Sequence, residues 1–348
     1  MDKTDIKSLL PSELEGFLKE LGQPKFRAAQ IFQWLHSGVC DFDEMSNIPK
    51  PLRELLKERC YIADVKIVRR LESKIDSTVK YLYQLNDGEY VESVLMKYHH
   101  GYTVCISTQV GCRMGCSFCA SGINGLSRNL SASEMIAQLL AAERDNNIRV
   151  SNVVMMGMGE PLDNFEQSVK FLKLVSQENG MNIGLRHISL STSGVVSGIE
   201  KLANYSFPIT LSVSLHAPSD EIRNTIMPVN RKWNVDTLLN ACRKYQKATG
   251  RRISFEYALM KGVNDTPACA EMLAKKLKGI MCHINLIPAN PVEETKFSKP
   301  DRNHIQNFCE LLNKKGLNST IRRTLGADIE ASCGQLRRKS LDKGCDNL

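Results

Sequence analysis

Between residues 103 and 323 short β-rich runs alternate with amphipathic helical stretches, and this alternation restricts the fold more than any other property of the chain. Runs at 103–108, 150–156, 187–191, 210–214, 253–257 and 283–286 read as strands, and the pattern resumes at 320–323. Helical periodicity fills the gaps at 131–145, 165–178, 195–205, 235–249, 267–277 and 301–315. The first of these opens on a capping box, Ser131-Ala-Ser-Glu134. Strands joined by helical crossovers pair in parallel with right-handed connections. Six or so units predict an α/β fold with an open, partial (βα)6 barrel rather than a closed eight-unit one, with ligand loops at the strands' C-terminal ends.

Residues 1–60 read as a small helical accessory domain, with apolar positions at three- and four-residue spacing over 13–21, 26–36 and 51–58. Gly22, Pro24 and the Pro49/Pro51 pair break them. Residues 61–97 read as a linking β-hairpin: 79–85 and 90–98 flank Asn86-Asp87-Gly88, and 64–71 offers a third strand. The barrel core is expected over 98–330 and a separate C-terminal segment over 331–348. The three-proline loop 288–300 and the tail after 336 are the least regular parts, and no internal repeat is visible. The chain has no apolar run of bilayer length, and its first residues lack a signal peptide's apolar stretch, so a cytoplasmic protein without a membrane partner is expected.

In a reducing compartment, 12 cysteines call for metal or catalytic roles rather than disulfides. Cys40, Cys60, Cys242, Cys269, Cys282 and Cys309 are scattered singly and read as small buried hydrophobes. Cys112, Cys116 and Cys119 instead form C-x3-C-x2-C just after the first strand of the βα series. With 12 cysteines in 348 positions, this spacing arises by accident roughly once in seventy such chains. A structural zinc site wants four closed ligands, and no second pair lies at zinc-ribbon spacing. A ferredoxin cluster wants four thiolates and a C-P signature absent here. Three thiolates on a 4Fe-4S cubane leave one iron open for the amino and carboxylate groups of S-adenosylmethionine, whose reductive cleavage gives a 5′-deoxyadenosyl radical. Phe118 either shields such a cluster or is an ordinary core phenylalanine; both readings are compatible.

The loops after the next strands carry polar groups where a cofactor would sit. Met156-Gly-Met-Gly159-Glu160-Pro161 offers glycines for close backbone approach and, in Glu160, an acceptor for the methionine ammonium. Ser191-Thr-Ser-Gly194 and Ser214-Leu215-His216 end the third and fourth strands. His216 reads equally as a hydrogen-bonded core histidine. Asn290, after the sixth strand, reads either as an adenine or ribose contact or as an Asn-Pro turn.

Together these pieces resemble the RlmN-type radical-SAM RNA methyltransferases. FRAAQIFQW at 26–34, the VESVLM strand at 91–96, MGMGEPLDN, STSG, VSLHAP, LIPANP and GADIEASCGQL all stand in that family's order. The resemblance spans nearly the whole chain. It implies methylation of C2 of an adenine in the peptidyl-transferase centre of 23S rRNA, and of C2 of the adenine 3′ to the anticodon in tRNAs. It implies two molecules of S-adenosylmethionine per turnover. The first methylates Cys333, and the second yields the radical that activates that methyl group. The resulting carbon adds to adenine C2, Glu92 removes the C2 proton, and Cys105 releases the product through a transient disulfide with Cys333. It also implies an electron donor such as flavodoxin or ferredoxin; a monomer is expected. Read without the resemblance, Cys105 is a core cysteine, Glu92 the solvent side of a strand, and Cys333 a loop cysteine of unproven reactivity.

Arg322-Arg323, Arg337-Arg338-Lys339 and Lys50, Arg53, Lys57 and Arg59 are either solvated faces or phosphate contacts, and the net charge of +8 is a weak hint toward the second. Three alternatives frame the assignment. Cfr-type enzymes modify C8 of the same rRNA adenine, but Gly159-Glu160-Pro161, Ser191-Thr-Ser193 and Leu215-His216-Ala217 side with the C2 family. An RNA-binding assembly protein with an inert cluster would not need Glu92, Cys105 and Cys333. A radical-SAM enzyme of small molecules or peptides leaves the Cys333 motif unexplained.

Overall fold

The computed structural model describes residues 3–289, 297–329 and 331. The N-terminal region comprises β1 (Thr4–Asp5), α1 (Pro11–Glu20), α2 (Phe26–His36), α3 (Lys50–Arg59) and β2 (Cys60–Tyr61). Pro11 sits in the first turn of α1, where its missing N–H costs nothing, and the Glu13 carboxylate accepts the Leu10 N–H at 2.7 Å. The helices bury Leu14, Leu18, Ile31, Phe32 and Leu35, and β1 pairs in parallel with β2 to close the unit. It is fused to the barrel rather than appended, because its apolar residues belong to the same buried cluster as the barrel's. Lys170 and Glu13 pair at 2.8 Å across the same junction.

The remaining elements are β3 (Lys66–Glu72), β4 (Val79–Gln84), β5 (Tyr90–Tyr98), β6 (Gly101–Cys105), β7 (Gln109–Gly111), β8 (Leu126–Asn129), α4 (Ala132–Asn146), β9 (Val150–Met155), α5 (Phe165–Val175), β10 (Ile188–Thr192), α6 (Val196–Ala203), β11 (Thr210–Ser214), α7 (Asp220–Ile226), α8 (Val235–Thr249), β12 (Ile253–Leu259), α9 (Pro267–Leu277), β13 (Cys282–Pro288), α10 (Arg302–Lys314) and β14 (Ser319–Ile321). Ten strands form one sheet in the order β14-β13-β12-β11-β10-β9-β6-β5-β4-β3. From β6 to β14 every neighbouring pair is parallel, giving the expected six crossovers, and the sheet stays open between β14 and β3. The 61–97 segment is more than a linker: β3, β4 and β5 add antiparallel to β6 and continue the same sheet.

Strand alternation divides the sheet sharply. One face, with Tyr81, Leu95, Val104, Val153, Leu190 and Leu211, is buried in the main apolar cluster. Along the other face Ser191 stands beside Ser212, Ser212 beside Ser254, Ser214 beside Glu256, and Glu256 beside Asn285. Asn285 donates to Glu256 at 2.7 Å, and Ser189 and Ser212 share a hydrogen bond of 2.9 Å. A barrel packed for stability alone fills this face with branched apolar residues, so its polarity reserves the interior for a polar ligand.

Beyond β14 the chain leaves one sheet edge and docks against the turn beside the other. Gly326 donates its N–H to Asp76 at 2.8 Å; Asp328 accepts from the Ser73 hydroxyl at 2.6 Å and from the Lys74 N–H at 2.8 Å. No helix among the described residues is long and apolar enough to cross a membrane.

Candidate active site

Cys112, Cys116 and Cys119 lie in the loop between β7 and β8, a short ribbon at the C-terminal end of β6. Backbone bonds shape this loop: Cys112 N–H to Gly125 O at 2.9 Å, Cys119 N–H to Cys116 O at 3.1 Å, and Ser117 N–H to Ile226 O at 3.0 Å. Phe118 packs edge-on to His216, centroids 5.0 Å apart, and beside the buried pair Ile226 and Met227. Burial pushes the Cys112 thiol up to about 12 and raises Cys116 as well, with the neighbouring thiols adding to both. As bare thiols they resist ionisation; iron would reverse this, because a coordinating thiol is deprotonated outright. No group of three or more His, Cys, Asp or Glu among the described residues is arranged around a single ion. Thiolates bound to separate irons of a cubane stand farther apart than the ligands of one ion, so three clustered, half-buried thiols fit an iron–sulfur cluster.

A chain of hydrogen bonds ties this loop to the next three strand ends. Gln109, fully buried, accepts the Glu160 N–H at 2.8 Å and donates to Asp163 at 2.9 Å, and Arg113 pairs with the same Asp163. Glu160 is buried, which raises its pKa, and its carboxylate accepts from Leu162 N–H at 3.0 Å and Ser193 N–H at 2.6 Å. It therefore joins the β9 and β10 loops, with lone pairs left for a further donor. Glycine at 157 and 159 is required by the chain itself: a Cβ at Gly157 would lie 2.6 Å from Ile106 O, and one at Gly159, where φ is +102°, 2.6 Å from Gln109 Cβ. The same glycines, which the sequence offers for the close approach of a ligand, also let the two loops pack against each other.

Arg223, which nothing in the sequence singled out, holds the β10 and β11 loops. It donates to Ser193 O at 2.6 Å, Ser214 O at 2.9 Å and Leu215 O at 2.9 Å. Leu215 is buried, and Ser191 and Ser214 lie half-exposed on the polar face. His216 has a left-handed backbone, φ 55°, and its Nδ1 accepts the Ala258 N–H at 2.9 Å. Burial, helped by Arg223, lowers its pKa to about 3, so the ring is neutral. The hydrogen-bonded reading of His216 thus holds, at a place that also faces the cysteine loop.

Glu92 is not on the solvent side of its strand. It is 3% exposed, and its carboxylate stands 3.9 Å from the Lys80 ammonium, itself fully buried on β4. Lys80 pairs with Val94 and Val94 with Cys105, so the three functional groups share one face of three adjacent strands. Cys105 packs with Val94 and Met96, and Leu325 and Ala331 lie against them. Ala331 stands two positions before Cys333. Cys333 and Asn290 lie outside the described residues, as do Arg337, Arg338 and Lys339.

Other expectations need adjustment. Cys60, Cys242, Cys269 and Cys309 are buried as expected, but Cys282 is only partly so. Cys40 is exposed and donates to Asp64 at 2.9 Å, because a carboxylate rather than a core surrounds it. Within the N-terminal basic group, Lys57 is paired with Asp43 at 2.7 Å and Arg53 donates to the Asp43 carbonyl at 2.7 Å, which leaves Lys50 and Arg59 as its exposed charges.

An open barrel with a three-cysteine loop after its first parallel strand defines the radical-SAM class, and the Radical SAM superfamily model matches residues 106–273. Residues 4–62 match the ribosomal RNA large subunit methyltransferase N-terminal domain. A probable dual-specificity RNA methyltransferase RlmN of Alkaliphilus oremlandii is 54% identical over 98% of this chain and 99% of its own length. Its counterpart in Lachnoclostridium phytofermentans is 52% identical over 98% and 96%. The crystal structure of a radical SAM methyltransferase from Sphaerobacter thermophilus superposes with a TM-score of 0.91 at 44% identity, covering 95% of this chain and 98% of that one. The chain belongs to the RlmN family of radical-SAM RNA methyltransferases.

Proposed function

We propose that this enzyme methylates C2 of an adenine in the peptidyl-transferase centre of 23S rRNA and C2 of the adenine 3′ to the anticodon in tRNAs. The observation that carries this reading is the shared face of Lys80, Glu92 and Cys105, against which the segment leading to Cys333 packs through Ala331. The "dual-specificity" in the relatives' names supports the two substrates. Adenine C2 is electron-poor and bears an inert hydrogen, so polar transfer from a sulfonium fails there and a carbon radical is needed.

Cys112, Cys116 and Cys119 hold one 4Fe-4S cluster, and Gly159, Glu160, Ser191, Ser214–His216 and Asn290 bind S-adenosylmethionine. When bound, the cluster and S-adenosylmethionine supply a 5′-deoxyadenosyl radical. Cys333 takes a methyl group from a first S-adenosylmethionine by displacement and presents it at the target base. Glu92 accepts the proton from C2 of the linked adenine. Once the linked adenine has given back one electron, the Cys105 thiolate attacks the Cys333 sulfur: a sulfur–sulfur bond forms, the carbon–sulfur bond breaks with its electron pair left on the former methyl carbon, and that carbon takes up a proton as the methylated base departs. A cellular reductant restores both thiols. A flavodoxin or ferredoxin feeds electrons to the cluster, and the protein acts as a cytoplasmic monomer.

Cys333→Ala and Cys105→Ala variants, assayed anaerobically with rRNA and tRNA fragments, test this reading. Cys333→Ala is expected to form no covalent RNA adduct, and Cys105→Ala to accumulate one. Mass spectrometry of the nucleosides must give 2-methyladenosine; 8-methyladenosine alone would transfer the enzyme to the Cfr-type reaction.

A further inference from the structure

Arg223 is fully buried, yet each of its hydrogen bonds goes to an uncharged oxygen. Nε donates to Leu215 O at 2.9 Å, one terminal nitrogen to Asn230 Oδ1 at 3.1 Å, and the other to Ser193 O and Ser214 O at 2.6 and 2.9 Å. The carboxylate in this network, Asp220, is reached only through the Asn230 amide, at 2.9 Å from it. A guanidinium held by dipoles alone is a costly thing to bury, so a negative charge is expected close by.

The packing of α7 says where. Cys116 and Phe118 pack against the buried cluster that contains Ile226, three positions after Arg223, and the Ile226 carbonyl accepts the Ser117 N–H at 3.0 Å. Three thiolates on a 4Fe-4S core leave one net negative charge when oxidised and two after one-electron reduction. A fixed cation beside them stabilises the reduced form more than the oxidised one.

We propose that Arg223 is a positioning and charge-balancing residue for the cofactor, raising the cluster's reduction potential while its planar fork gathers the carbonyls of the two loops that meet S-adenosylmethionine. This rests on the reading of Cys112, Cys116 and Cys119 as cluster ligands. It separates two properties of one side chain, the charge and the fork, and the two come apart on substitution.

The experiment is an anaerobic redox titration, followed by electron paramagnetic resonance, of the reconstituted full-length protein without RNA. Arg223→Gln removes the charge; Arg223→Lys keeps it and loses the fork. Arg223→Gln is expected to lower the reduction equilibrium about tenfold, a midpoint 59 mV more negative for one electron. Arg223→Lys is expected to keep the wild-type midpoint but bind S-adenosylmethionine about tenfold more weakly by equilibrium dialysis. An unchanged midpoint in Arg223→Gln, or an equal fall in both variants, would overturn the proposal. If Arg223→Gln retains no iron while Arg223→Lys does, the need for the charge stands; if neither retains iron, only the fork matters and the proposal falls. Failure of the wild-type protein to hold a cluster would instead refute the ligand assignment, and is seen before any variant is made.

Discussion

His36 and His216 are buried rings held neutral, each lowered to about 3, first by burial and then by a cation, Lys7 for His36 and Arg223 for His216. A histidine depressed in the folded state binds its proton preferentially in the unfolded chain. The stability it contributes is whole above about pH 6.5 and drains away as the pH falls from there toward 3. At pH 4.5 the loss is about 2–3 kcal/mol per ring, and urea unfolding at pH 7.5 and 4.5 measures it. In His36→Phe, which keeps the stack on Phe32, the acid loss should shrink by one ring's share. The Lys80–Glu92 pair gives a second test. Lys80→Met should cost about 3–5 kcal/mol by removing one partner of a buried ion pair, and a double-mutant cycle with Glu92→Gln should read the coupling between the two. At this scale the cysteine triplet was legible because all three thiols fall within eight residues. Lys80 and Arg223 were not: an arginine in DEIRNTI looks solvent-facing until folding places the carbonyls of distant loops around it.

Among elements, legibility followed the caps. α8 and α9 begin and end where the sequence says, because Asn234 caps Thr237 N–H at 2.8 Å, Gly250 takes a left-handed φ of 65°, and Thr266 precedes Pro267. The β7–β8 ribbon and α7 escaped notice because they are short and owe their form to tertiary partners. The continuity of β3–β5 with the barrel was equally hidden, since local patterning marks strands but not which sheet they join. The β9 loop yields the prediction at this scale. Gly159→Ala places a Cβ 2.7 Å from Gln109 N in a left-handed backbone. It should cost about 2 kcal/mol or more in thermal unfolding and weaken S-adenosylmethionine binding about tenfold, because the β6 and β9 loops must separate.

For the whole molecule, the mild excess of positive charge resolved unevenly. Arg53 and Lys57 are engaged by Asp43, whereas Arg322 and Arg323 follow β14 at the C-terminal end of a barrel strand, half-exposed and exposed. Replacing both with alanine should reduce the slope of log K for RNA binding against log salt by roughly 1.5–2, and Arg53→Ala should leave it nearly unchanged; filter binding over a salt series reads both.

The opening between β14 and β3 has a consequence for life in a crowded solution. A closed barrel has no edges; this one has two, and an unpaired strand edge invites another chain to extend it. Here one edge is only three residues long, and the other carries Lys66, Arg69, Arg70 and Glu72. Brevity on one side and charge on the other discourage edge-to-edge aggregation, so the sheet can stay open for its ligands without recruiting copies of itself.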